Sequence, residues 1–247
     1  MPTDALFWHR LQFAFTITFH YLFPVLTMGL ALHIVLMKAL ALRSGDARWD
    51  EAARFWIRIF GINFAVGVVT GIPMEFQFGT NWARFAKFAG PVIGQTLAME
   101  GLFAFFLESS FLALLVWGER RMSRLAHFGC ALALFVGSWL SAYFILCTNA
   151  FLHHPVGHAV GPGGALQLVD AAAFLTNPWA AMQFAHNQAA SVATASFVVA
   201  AVGAWWMLRG EHTEVARRCL TLGVIAGFVA SLAVAFPTGD LQAKAVA

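Results

Sequence analysis

Charge is what this sequence has least of. Lys, Arg, Asp and Glu make up 11% of its 247 residues, against 60% hydrophobic residues, and the mean hydropathy is +0.72. A water-soluble domain carries about 25% charged and about 45–50% apolar residues. That shortage excludes an ordinary soluble globule and makes the bilayer the expected solvent. Cysteine is also scarce: Cys130, Cys147 and Cys219 are odd in number, far apart and set in apolar runs. They exclude a disulfide framework or a thiolate zinc site and read as small buried hydrophobes. Internal repeats and low-complexity tracts are missing as well. The net charge of +3 does not indicate a nucleic-acid partner, because the basic residues sit at the ends of apolar runs.

What is present is a series of long apolar stretches. Six helices are predicted, at about 13–41, 55–78, 92–118, 126–150, 180–208 and 217–237, each long enough to span at 1.5 Å per residue. Helix is the expected structure because an open chain in lipid must satisfy its own backbone. The fold class is therefore all-α, a polytopic membrane helix bundle, and residues 1–247 form one transmembrane domain. The first apolar run is too long for a signal-peptide core and is expected to remain as a helix. The stretch 151–179 carries His153, His154, His158 and Gly161-Pro162-Gly163-Gly164, and reads as an irregular surface loop with a short amphipathic piece. Its histidines lack acidic or thiol partners in metal-site spacing and are expected to be solvated. Eleven of the fifteen Lys and Arg flank the loops after helices one, three and five. The positive-inside rule puts those loops in the cytoplasm and both chain ends outside.

Against this background the ionisable residues inside the spans stand out, since each costs roughly 2.5–3.5 kcal/mol to insert. His20 ends a polar stripe of Gln12, Thr16 and His20 at four-residue spacing, and Pro24 one turn later frees a carbonyl. Its two readings are a haem ligand and a histidine bonded to a neighbouring helix. The same pair applies to His186, within Met182-Gln183-Phe184-Ala185-His186-Asn187-Gln188. With both ends outside, His20 lies roughly 10 Å and His186 about 9 Å below the outer helix ends. Glu75 lies near that face, Glu100 roughly 12 Å deep and Glu108 about 12 Å deeper. Two acids stepping down one helix suit a proton relay, the alternative being hydrogen-bonded packing acids. On an α-helix they differ by about 80° in direction. His33, about 220° round from His20, is assigned to packing, and His127 to the interface. Gly67 and Gly71 fit a weak small-xxx-small contact pattern. Glu75 and Gln77 are expected to hold polar groups at the outer edge, with Gly79 as helix C-cap.

Several strings in order are more specific: Arg10-Leu11-Gln12-Phe13 before His20, Gly61-Ile62-Asn63-Phe64, Met74-Glu75-Phe76-Gln77-Phe78-Gly79-Thr80-Asn81-Trp82, Glu100-Gly101, Phe105-Phe106-Leu107-Glu108-Ser109, Gly137-Ser138 with Ser141-Ala142, Asn177-Pro178, and His186. Over essentially its whole length the chain resembles subunit I of cytochrome bd-type quinol oxidases. The resemblance implies a terminal respiratory enzyme of the bacterial plasma (inner) membrane. It would pass electrons from quinol to O2 through low-spin haem b, high-spin haem b and haem d. It makes His186 the low-spin haem b ligand and His20 the axial ligand of a high-spin haem, haem d in preference to haem b. Glu100 falls at the haem d pocket, Glu108, Ser109 and Ser141 on the cytoplasmic proton path, and Arg10 and Glu75 among the cofactor-binding residues. A homologous subunit II and small single-helix subunits are the implied partners, besides membrane lipid. Pro73 stands where some members carry a small polar residue. The sequence stops at Gly239-Asp240-Leu241-Gln242-Ala243-Lys244, where the resemblance implies that the quinol-binding loop begins. About three further helices, a methionine opposite His186 and a glutamate for the second high-spin haem are expected beyond it, so the chain is expected to be an N-terminal portion or split subunit, inactive alone. Two other functions fit the residues less closely: a membrane b-type cytochrome without oxidase activity, and a haem-free proton-coupled transporter built on Glu100 and Glu108.

Overall fold

Each long apolar run becomes a helix whose ends are set by local chemistry. The structure is a computed structural model that describes residues 5–246. The helices are α1 (Ala5–Ser44), α2 (Ala47–Gly79), α3 (Ala83–Gly101), α4 (Ser109–Trp117), α5 (Arg124–His153), α6 (Ala171–Leu175), α7 (Pro178–Arg209), α8 (Thr213–Ala233) and α9 (Asp240–Val246). A π-helical segment, Leu102–Glu108, joins α3 to α4 without a break, and a kinked segment, Val234–Gly239, joins α8 to α9, with Phe236 extended at φ -144° and ψ 126° just before Pro237. Among the described residues six continuous helices are long and apolar enough to cross a membrane. They are longer than the apolar cores read from sequence, because the polar flanks are helical too. Side-chain caps mark several starts: Asp46 accepts from the Arg48 amide, Ser123 from Ala126, and Asn177 from Trp179 with Pro178 as the first helical residue. Gly210 ends α7 in the left-handed conformation at φ 68°, which costs glycine least.

Small residues set the closest packing. A Cβ on Gly29 would lie 2.1 Å from the Ser191 carbonyl oxygen, so α1 and α7 touch backbone to backbone. Gly223 does the same for α8 against α7, where a Cβ would lie 2.6 Å from the Ala200 nitrogen. Leu30, Ile34, Met37, Trp56, Phe60, Leu134 and Val199 fill the main core. A smaller core of Val92, Ile93, Phe151 and Phe174 lies beneath the connection between α5 and α7. That connection corrects the expectation of an irregular loop. It holds an antiparallel hairpin, β1 (His158–Val160) with β2 (Leu166–Leu168), followed by α6 capped by Asp170.

Two further expectations change. Thr80, not Gly79, caps the end of α2. His127 is buried, bonded through Nε2 to the Leu115 carbonyl at 3.0 Å, and is not interfacial. His33, assigned to packing, is buried with Nδ1 on the Gly29 carbonyl and Nε2 on Ser196 Oγ. Cys130, Cys147 and Cys219 are free and buried.

Charge gathers at one end of the bundle. Asp50 pairs with Lys38 at 2.8 Å and Arg124 at 2.7 Å, Arg54 with Glu119 at 3.2 Å, and Arg48 with Glu214 at 2.7 Å. Arg218 bonds Asp46 through Nε at 3.0 Å. These contacts tie together the three connections α1–α2, α4–α5 and α7–α8, the loops with the basic excess.

Candidate functional site

Both span histidines lean on the next helix in the same way. His20 Nδ1 lies 2.9 Å from Thr70 Oγ1 on α2, and His186 Nδ1 lies 3.2 Å from Thr238 Oγ1 in the kinked segment after α8. Each imidazole also rests on the glycine that follows its threonine. A Cβ on Gly71 would lie 3.1 Å from His20 Cε1, and one on Gly239 would lie 3.5 Å from His186 Cε1. The Gly67/Gly71 pattern therefore has a specific use: Gly67 admits Phe23 and Gly71 admits the imidazole. The polar stripe on α1 is present, with Gln12 donating to Thr16 at 3.3 Å.

The two histidines lie at one level of the bundle. Tyr21, next to His20, donates to the amide oxygen of Asn187, next to His186, at 2.5 Å. Sequence alone does not show this contact, because its partners are 166 residues apart. Asn63 braces α1 from α2 by donating to the Phe23 carbonyl at 2.8 Å and to Thr27 at 2.7 Å.

The carboxylates follow on the third span. Glu100 is half-buried near the end of α3, and Ser141 on α5 donates to its backbone carbonyl at 3.3 Å. Glu75 lines a cavity of about 470 Å³ between α2 and α3, along with Phe78, Gly90, Gly94, Gly101 and Phe105. Glu108 is only 4% exposed, packed beside Gly137 of α5, and its carboxylate makes no hydrogen bond or ion pair among the described residues. The π-helical segment lies between the two acids, so the 80° offset expected for an α-helix does not hold. The Ser109 hydroxyl is spent on the carbonyls of Phe105 and Phe106 in its own helix. Arg10 is exposed on the first half of α1, outside this cluster. The histidines of the connection turn elsewhere: His153 and His154 stack on Trp179, and His158 meets the edge of Phe151.

These residues fit iron porphyrin. Two imidazoles at one level keep Nε2 without a hydrogen-bond partner among the described residues, while Nδ1 is engaged. The nearby cavity has walls of glycine, alanine and aromatic side chains, which a flat macrocycle can approach closely.

The comparisons with known proteins agree with this chemistry. The family model for cytochrome bd terminal oxidase subunit I matches residues 8–247. The chain is 36% identical over 245 residues to cytochrome bd-II ubiquinol oxidase subunit 1 of Escherichia coli K12, covering 99% of this chain and 48% of that protein. It is 38% identical over 235 residues to cytochrome bd ubiquinol oxidase subunit 1 of Bacillus subtilis 168, covering 95% and 50%. The solved bd oxidase of Geobacillus thermodenitrificans superposes with a TM-score of 0.93 at 32% identity, over 99% of this chain and 56% of that one. The chain thus spans about half the length of the curated relatives it matches.

Proposed function

Because the chain belongs to the cytochrome bd terminal oxidase subunit I family, we propose that it carries haem sites of a terminal respiratory quinol oxidase. The observation that carries the reading is the pair of imidazoles at one level, each with Nε2 open and Nδ1 tied to the adjacent helix. His186 holds the low-spin haem b, and His20 holds a high-spin haem of the O2-reducing pair, haem d in preference to haem b. Haem, when bound, supplies one-electron transfer and the chemistry of O2. The residues supply position and protons. Glu75 presents a carboxylate at the cavity between α2 and α3, Glu100 precedes Gly101 of its wall by one residue, and Arg10 lies toward the outer face. Glu108 supplies a buried carboxyl on the path, and Ser141, beside the Glu100 backbone, carries it across to α5. Ser109 shapes the path through its backbone bonds.

The charged end of the bundle faces the cytoplasm and the N-terminus faces outward, in keeping with the basic loops. Protons then enter from the cytoplasmic side toward Glu108, and quinol is oxidised at the outer face. A homologous second subunit and small single-helix subunits complete the assembly. The two relatives' names include ubiquinol, which supports a quinol as the donor.

A reduced-minus-oxidised absorption spectrum of membranes carrying the protein tests the reading. A chlorin-type band in the red with b-type bands is expected. Bands of b type alone would point to a membrane cytochrome without oxidase activity, and no bands to a haem-free transporter. His186→Ala should remove the low-spin signal selectively, and an unchanged spectrum would refute the assignment.

A further inference from the structure

We propose that Thr70 and Thr238 are positioning residues that fix His20 and His186 in a single tautomer, proton on Nδ1, leaving the Nε2 lone pair for iron. The proposal rests on the haem reading above. A threonine hydroxyl has one proton to donate and lone pairs to accept with. Thr238 Oγ1 donates to the Ala233 carbonyl at 2.6 Å, and Thr70 Oγ1 lies 3.0 Å and 2.9 Å from the carbonyls of Val66 and Gly67. With that proton spent on the helix backbone, each hydroxyl can only accept from the imidazole. Nδ1 must therefore carry the hydrogen, and a neutral ring then has its lone pair at Nε2.

The same dipeptide does this twice. Thr70-Gly71 reaches His20 from α2, and Thr238-Gly239 reaches His186 from the kinked segment after α8. The threonine sets which nitrogen is protonated; Gly71 gives the edge of the His20 ring room, and Gly239 lies in contact with the His186 ring edge while making room for the Val234 carbonyl. In the second case the kink at Phe236 brings the hydroxyl to a carbonyl five residues back. The other buried histidines lack this arrangement. His33 has both nitrogens bonded, and His127 spends Nε2 on a carbonyl. An acceptor on Nδ1–H also raises the basicity of the coordinating nitrogen, which favours ferric over ferrous iron.

The test uses the complete oxidase with Thr238→Val, Thr238→Cys and Thr238→Ser, and the same three substitutions at Thr70. Valine keeps the shape and removes the acceptor, cysteine weakens it, and serine retains it. Thr238→Val should weaken retention of the haem at His186 by about 10–100-fold and raise its midpoint potential in a redox titration. Thr238→Cys should fall between, and Thr238→Ser should match the unmodified protein. The Thr70 series should move only the haem at His20. If a valine variant fails to accumulate, the ordering of cysteine and serine decides. Equal potentials and haem content across either series would overturn the proposal. Loss of signal in the serine variants equal to that in the valine variants would also overturn it, by assigning the threonines to packing. Absence of haem from the unmodified complex would instead remove the haem reading, and this proposal with it.

Discussion

At the scale of the residue, the third span places an acid where water is scarce. Glu108 is buried beside Gly137 and has no hydrogen-bond or ion-pair partner among the described residues. Glu108→Gln keeps the shape and the hydrogen-bonding capacity but removes the exchangeable proton. Oxygen uptake should fall by about a hundredfold, the order of a lost acid–base group, with haem spectra unchanged. Uptake at the parent rate would show that protons travel by another route. This acid, like Glu100, His20 and His186, could be read from sequence because an ionisable group in a greasy run has a cost that needs an explanation. Thr70 and Thr238 could not be. Threonine is ordinary in a membrane helix, and each meets its histidine across 50 or 52 residues of chain. The Tyr21–Asn187 contact leaves no trace in sequence for the same reason: it depends on how two helices dock.

At the scale of the element, the spans follow from hydropathy and their starts from caps such as Asp46, Ser123 and Asn177. The π-helical segment leaves no such sign, because a run as apolar as Leu102-Phe103-Ala104-Phe105-Phe106-Leu107 has no polar face from which to read a period. Wide turns occur often at functional sites, and here one separates Glu100 from Glu108, while a kink at Phe236 brings Thr238 to His186. Deleting Phe105 should restore α-helical geometry and turn Glu108 away from α5. Membrane insertion should persist and oxygen uptake should be lost. Retained uptake would show that the wide turn is dispensable. Helix docking offers a second test. Gly29→Leu forces a side chain into the Ser191 backbone, and overpacking of this kind costs about 1–3 kcal/mol. Thermal melting of the detergent-solubilised protein should report a lower midpoint for Gly29→Leu. No change would mean that α1 and α7 are more loosely held than their contact indicates.

At the scale of the molecule, one end of the bundle is a charged clasp and the remainder is apolar. Asp46 lies in the clasp, and hydrogen bonds from Arg48 and Arg218 hold its carboxyl well below the usual carboxylate range. A group whose folded value is depressed adds stability in full above its unfolded value, about 3.9, and that stability is lost as pH falls from there through the folded value. Asp46→Ala should therefore lower the melting temperature near neutrality, and the difference from the parent should narrow in acid below about pH 4. A difference of constant size across that range would mean that the carboxylate's charge is not what holds the clasp. Sequence indicates which loops are basic, but not that Asp46, Asp50, Glu119 and Glu214 bind them into one cluster, since pairing partners come from different connections.

The first helix is buried mainly along one half, the other half being held by fewer contacts, from His20 to Thr70, Tyr21 to Asn187 and Phe13 to Trp82. From Thr27 to Ala41 its residues contribute heavily to the core, whereas Phe7, Trp8, Phe15, Tyr21 and Leu22 on the other half are exposed. Such a rod behaves as a lever, held most firmly at its root and more lightly toward its tip. His20 lies about 10 Å from Thr27 and Ala5 about 33 Å, at 1.5 Å per residue. A rocking motion that sweeps the tip therefore carries the imidazole only about a third as far. The helix can adjust to its lipid or its neighbours at the far end while the ring stays near the fulcrum.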